Sequence, residues 1–261
     1  MAISTLDGLI AATKRRVVYQ KTASRTTVAN IPFSVFDLAG NPGAGTLAVG
    51  NTANGIVPTD AVAGYPALAT QAATLYLNRI QARSSVACWL DVYDTLFSAG
   101  AYAFNANVTL ASQPSYAGRV PGTDYNGLEF WLEQVTAMTG SQSIRLQYLD
   151  QGGAAGDTGT IATGVAPIVG RMFLVPLAAG DSGIQQLNVV TSTVSTAGTF
   201  NVHIMRWLWG CRINAANQGV VDSLLKTGLP QIYDTSALRV VVTADSTASA
   251  LPSIRAETAD G

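Results

Sequence analysis

The chain has 261 residues, a mass of 27.1 kDa and a formal net charge of -1 with a pI near 5.7, and only 12% of its residues are charged. A single histidine, His203, excludes multi-histidine metal sites and most acid–base constellations, and the balanced charge excludes the global positive field that draws in nucleic acid. Asp outnumbers Glu 13 to 3 and Arg outnumbers Lys 12 to 3, so residues of turns prevail over those of exposed helices and helix is expected to be a minority element.

Thr5 to Arg16 carries the helical pattern, with Leu6, Leu9, Ile10 and Thr13 at i, i+3, i+4 and i+7, Ser4 or Thr5 as N-cap and Asp7 in the first turn. Lys14, Arg15 and Arg16 would form its last turn, where cations complement the helix dipole, or else present a patch to an anionic partner. From Val17 to Phe36 the pattern turns to strands. Ala39 to Ala67 is rich in Gly, Ala, Asn, Thr and Pro with almost no large apolar residue, and reads as a long ordered loop or arm suited to lying across a neighbouring subunit.

Alternation is clearest over 74–150. Leu75 to Ile80, followed by Val86 to Tyr93, reads as a hairpin. Leu128 to Glu133 and Ile144 to Tyr148 read as a second, with Glu133 and Arg145 meeting across the strands and Glu129 and Glu133 on a solvated edge. Leu187 to Val194, a turn at Thr196 to Gly198, and Phe200 to Trp209 repeat the layout of 75–97. A helical turn over Val220 to Lys226 is stopped by Gly228 and Pro230, and Leu238 to Thr243 closes the series. Short strands with turns every ten or so residues predict an all-β fold, a β-sandwich of jelly-roll type behind a short N-terminal helix and an extended arm. The expected division is 1–70 for helix and arm and 71–261 for the body, with two sub-sandwiches, if present, split near 155–170.

Several motifs tempt. Gly180-Asp181-Ser182-Gly183 has the look of a serine-protease loop, but His203 follows it and the neighbouring sequence departs, so a turn capped by Asp181 is expected. Gly43, Gly45 and Ala48 match G-x-G-x-x-A with no helix behind them and no Walker lysine. Asp150 to Gly159 fits neither known calcium spacing, Cys88 and Cys211 read as buried reduced thiols, and His203 reads as a packed or interface imidazole. Met205, Trp207 and Trp209 form the densest cluster of large side chains, read first as core and second as a subunit interface. No catalytic residue, cofactor or metal is assigned. No stretch approaches the ~20 apolar residues of a membrane span, and a soluble, unprocessed chain with no nucleic-acid or membrane partner is expected.

The run Ala39-Gly-Asn-Pro-Gly-Ala-Gly-Thr-Leu-Ala-Val-Gly-Asn-Thr-Ala-Asn-Gly55, the segment Gly127-Leu-Glu-Phe-Trp-Leu-Glu133 and Gly228-Leu-Pro-Gln-Ile-Tyr-Asp234 resemble a family of virion structural proteins of tailed bacteriophages, over nearly the full length. The resemblance implies a head decoration, or cement, protein on the outside of an icosahedral capsid, made in the host cytoplasm, commonly a homotrimer and partnered with the major capsid protein. It implies no catalytic motif. In that role residues 1–70 would supply lattice contacts and the β body the trimer. A tail or baseplate module binding a receptor or carbohydrate, with Trp131 or Tyr125 stacking on sugars, is the alternative.

Overall fold

The computed structural model describes residues 3, 5–68, 74–163, 168–192 and 197–260; Ser4, Val194 and Thr196, named above, lie outside the described residues. The protein is all-β with a short N-terminal helix, as the alternation predicts.

That helix is shorter than its periodicity suggests. Thr5 caps Leu6–Ala11, its hydroxyl accepting from the Gly8 amide at 3.0 Å, with Asp7 in the first turn. Ala12 is already extended, and Lys14, Arg15 and Arg16 open the strand Lys14–Lys21 instead of ending a helix. The β-branched pair Val17-Val18 and a ladder partner, Pro252–Asp260, outweigh the helical pattern. Lys14 nevertheless serves the helix terminus from outside it: its ammonium donates to the carbonyls of Leu9, Ile10 and Ala12 at 2.9, 3.2 and 3.2 Å.

The chain forms two compact units, interleaved along the sequence: Met1–Gly45, Thr59–Asp94 and Leu208–Gly261 make one, Thr46–Pro58 and Thr95–Trp207 the other. The expected boundaries at residue 70 and near 155–170 coincide with neither, because pairing between distant segments draws the division.

In the first unit a six-stranded antiparallel sheet orders Gly219–Asp222, Leu75–Ser84, Pro252–Asp260, Lys14–Lys21 and Gly40–Asn41, with Gln231–Ile232 also on Leu75–Ser84. Opposite it lie the first half of Cys88–Ala103, Leu238–Ala244, Pro32–Ser34 and the last part of Thr199–Ile213. Val17, Tyr19, Ile80 and Ile254 from one sheet meet Leu90, Val92, Val240 and Val242 from the other in a single core. Each such side chain contributes ~1.5–3 kcal/mol by leaving water.

The second unit repeats the plan. Ala155–Asp157, Ser143–Asp150, Ile184–Ser192 and Asn107–Thr109 form one sheet, and Met172–Val175, Leu128–Thr136 and the remaining parts of Thr199–Ile213 and Cys88–Ala103 form the other. Its core is aromatic, with Phe104 stacked on Phe200 at 4.8 Å and Phe130 edge-on to Tyr148 at 5.4 Å.

Neither predicted hairpin forms. Leu75–Ser84 and Cys88–Ala103 belong to different sheets, and so do Leu128–Thr136 and Ser143–Asp150. Consecutive strands here turn a corner from one layer of a sandwich to the other, and both layers point the same residues at the shared core. Glu133 and Arg145 therefore never meet: Arg145 pairs with Asp157, and Glu133 is fully buried rather than on a solvated edge. The helical turn is confined to Leu224–Thr227, after the strand Gly219–Asp222, and ends where Gly228 adopts a left-handed conformation. A strand absent from the sequence reading, Pro252–Asp260, follows Leu238–Ala244.

The small-residue stretch is ordered and largely irregular, with short strands Gly40–Asn41 and Asn51–Ile56. Its glycines explain its composition. A Cβ on Gly45 would lie 2.2 Å from the Phe36 ring, and one on Gly55 would lie 2.1 Å from the Phe97 ring, so only bare backbone can approach these aromatics so closely. The buried Lys21 ammonium fastens the start of the stretch, donating to the carbonyls of Phe36, Leu38, Pro42 and Gly43 at 3.0–3.4 Å.

Candidate interaction surface

Alternation in the six-stranded sheet sends one set of residues to the core and leaves the other on the outer face. On Lys14–Lys21 the outer set is Arg16, Val18 and Gln20; on Pro252–Asp260 it is Ser253, Arg255 and Glu257; on Leu75–Ser84 it includes Arg79, Gln81 and Arg83. Register then aligns them into rows across the strands: Arg16, Glu257, Arg79; Val18, Arg255, Gln81, Val221; Gln20, Ser253, Arg83, Gly219. Strands ~4.8 Å apart and same-face residues ~7 Å apart put the bases of four arginines within a patch of roughly 10 by 13 Å.

Arg16, Arg79, Arg83 and Arg255 are exposed, and among the described residues none forms an ion pair. Four cations elsewhere are ion-paired: Arg25 with Asp37, Arg145 with Asp157, Arg212 with Asp245, and Lys226 with Asp222 at 3.1 Å. The single acid of the face, Glu257, accepts a 2.6 Å hydrogen bond from Asn78. Troughs of about 380 and 240 Å³ lie along the face, both bordered by Gln81 and Arg255. Guanidinium forks free on a rigid sheet recognise planar anions, carboxylates above all, in bidentate fashion.

The residues singled out in the sequence separate. Arg16 joins this face, Arg15 points to the opposite side of its strand, and Lys14 is held at the helix terminus. Met205 and Trp209 are 0% and 2% exposed and cannot be interface residues. Met205 receives the Thr95 hydroxyl on its sulfur, while the Trp209 indole donates to Asp222 at 3.0 Å. Trp207 alone of the three is at the surface, 50% exposed. Trp131 is 5% exposed with its indole on Glu129 at 2.8 Å, which removes it from any sugar platform; the other exposed indole is Trp89, with the Arg212 guanidinium 5.6 Å from its ring centre. Arg79, Arg83 and Arg255 do not stand out in the sequence, because Arg79 and Arg83 are four residues apart in one strand and Arg255 is more than 170 residues further on, and only register gathers them with Arg16.

His203 is occupied inside the second unit. Its Nδ1 lies 2.8 Å from the Ser98 hydroxyl and its Nε2 lies 3.1 Å from Glu133, with all three side chains shut off from solvent. Serine, histidine and carboxylate are in line, but no substrate can reach a hydroxyl so enclosed, and the arrangement is a buried polar network. Ser182 instead bonds Asn126, and Asp181 accepts from the Tyr148 hydroxyl at 2.6 Å instead of capping backbone amides. In the Asp150 to Gly159 loop, Asp150 accepts from the Gly152 and Ala154 amides and Asp157 binds Arg145. Cys88 and Cys211 are buried free thiols. No helix among the described residues is long and apolar enough to cross a membrane.

No protein-family model matches the chain. None of the curated proteins matches it. Among solved structures it is similar to infectious bursal disease virus, Gt strain, at 10% identity over 95% of this chain and 81% of that one, with a TM-score of 0.18. It is also similar to the T13 particle of that virus (9% identity, 96% and 78% covered, TM-score 0.20) and to its VP2 subviral particle (9%, 96% and 81%, 0.18). At these scores the likeness transfers neither a fold nor a role to this chain.

Proposed function

We propose that the chain is a virion structural protein, a head decoration protein of the cement type that attaches to the outside of a bacteriophage capsid and works by adhesion. The observation that carries this reading is the exposed four-arginine face on a rigid six-stranded sheet, a surface equipped to bind and not to turn over. The sequence resemblance to phage virion proteins supports it. Weak polar contacts suffice where a repeating lattice, and a trimer of the protein itself, multiply them. A second contact is available at the N-terminal helix, where Leu6 and Ile10, 66% and 67% exposed, share one side.

The test is occupancy on expanded capsids stripped of the protein, imaged with wild type and with a Leu6→Ser/Ile10→Ser variant, alongside a mass measurement. Wild type is expected to decorate the lattice as a trimer and the variant to leave sites empty at an unchanged melting temperature. Bare capsids with wild type would remove the cement role. Trp89, 51% exposed and stacked by Arg212, favours a second reading as a carbohydrate-binding module of a tail or baseplate, which a glycan-array signal lost in Trp89→Ala would support.

A further inference from the structure

We infer that the outer face of the six-stranded sheet receives an extended acidic polypeptide segment whose carboxylates fall at alternate residues. The inference takes from the proposed function only that this face adheres to a protein.

Geometry sets the spacing. Arg79 and Arg83 project from one strand four residues apart, and Arg255 projects from the adjoining strand in the intermediate row, level with Gln81. An extended segment presents same-side residues every ~7 Å, so acids at i, i+2 and i+4 meet Arg79, Arg255 and Arg83 in turn. The troughs beside Arg255 leave room for the backbone of such a segment. Gln20, Gln81 and Ser253 offer amide and hydroxyl groups to that backbone, and Val18 and Val221 give it an aliphatic floor.

Charge decides among occupants. Glu257 stands between Arg16 and Arg79, so a uniform polyphosphate, which carries charge at every unit, meets repulsion in that row of the face. A polypeptide can place a neutral or basic residue opposite Glu257. A second copy docking by the same face would set arginine against arginine, a like-charge contact that disfavours a two-fold pair.

The experiment is fluorescence anisotropy of a labelled peptide alternating Glu and Thr, titrated with the full chain at low and high salt. Comparators are a peptide of the same composition with its Glu residues contiguous, an alternating Lys–Thr peptide and a single-stranded oligonucleotide of equal charge. The alternating acidic peptide is expected to bind best, to weaken as salt rises, and to lose roughly tenfold or more in affinity with Arg79→Glu/Arg255→Glu at an unchanged melting temperature. Should that variant misfold, Arg79→Gln/Arg255→Gln is expected to show the same loss. No binding at low salt, equal binding of the contiguous peptide, or tighter binding of the oligonucleotide each overturns the inference. So does self-association abolished by the same variants, which would assign the face to a second copy. Capsid occupancy is read separately: decoration without peptide binding sinks this inference and spares the proposed role, and peptide binding on bare capsids does the reverse.

Discussion

His203 holds the middle of a chain of buried polar groups, and its removal tests what that chain is for. Glu133 is fully buried and takes hydrogen bonds from the imidazole and, at 3.4 Å, from the Asn201 amide. Replacing His203 by Ala takes one donor from a carboxylate that water cannot reach, a loss of about 2–4 kcal/mol. Ser98→Ala, which deletes only a neutral partner, should cost about 1 kcal/mol. Urea unfolding of both variants checks the order, and equal small losses would mean that the network contributes no stability. The Asn201 amide also donates to the Leu47 carbonyl at 2.6 Å, so the same network ties part of the small-residue stretch to the second unit.

At the scale of elements, the glycines of that stretch are the sharpest test of packing. Gly45→Ala would push a methyl group into the Phe36 ring and the Ala63 carbonyl and cost about 1–3 kcal/mol, whereas Gly43→Ala, two residues away, meets open space and should stay within about 0.5 kcal/mol. Thermal melts of the pair separate close approach from mere glycine content. The strands teach a related lesson about what was legible. Strict alternation puts Cys88, Leu90 and Val92 on one face, as the core has them, but in Leu75–Ser84 it groups Arg79 with Leu75 and Leu77, whereas an irregularity at Asn78 shifts the parity and sends Ile80 to the core and Arg79 outward. Nor does alternation name hydrogen-bond partners, because a hairpin and a corner between sandwich layers bury the same parity of residues. The helix ran past its true end because its last turn was claimed by a ladder with Pro252–Asp260, a strand far along the chain. In sequence Arg16 stands out for its basic neighbours, while its companions on the sheet, Arg79, Arg83 and Arg255, become neighbours only through the two ladders that Pro252–Asp260 makes. Glu133 likewise reads as an edge residue in sequence, since nothing near it along the chain announces His203 on the adjoining strand.

For the whole molecule the buried phenols and thiols set the response to alkali. Burial pushes the Cys211 thiol up to about 12 from 9.0, and burial with the hydrogen bond to Asp181 pushes the Tyr148 phenol up to about 12 from 10.0. Burial raises Tyr102, Tyr116 and Cys88 as well. The unfolded chain releases these protons first, so their stabilisation is complete below pH 9 to 10 and is lost as pH climbs toward 12. Lys21 runs the other way: burial, resisted by Asp37, lowers it to about 8 from 10.5, so stability gained from this group grows between those values. Five groups against one predict a net fall in melting temperature above about pH 10, smaller in Tyr148→Phe than in wild type when each is referred to its own value at neutral pH. A flat profile to pH 12 would show that these side chains titrate as in water.

Pro252–Asp260 has an effect that reaches back to synthesis. It sits between Lys14–Lys21 and Leu75–Ser84, both translated long before it. Until it leaves the ribosome, Arg16 and Arg79 ride on separate lengths of chain and Arg255 does not yet exist. A nascent chain therefore lacks the arginine face, which arises only once this strand is laid between the other two.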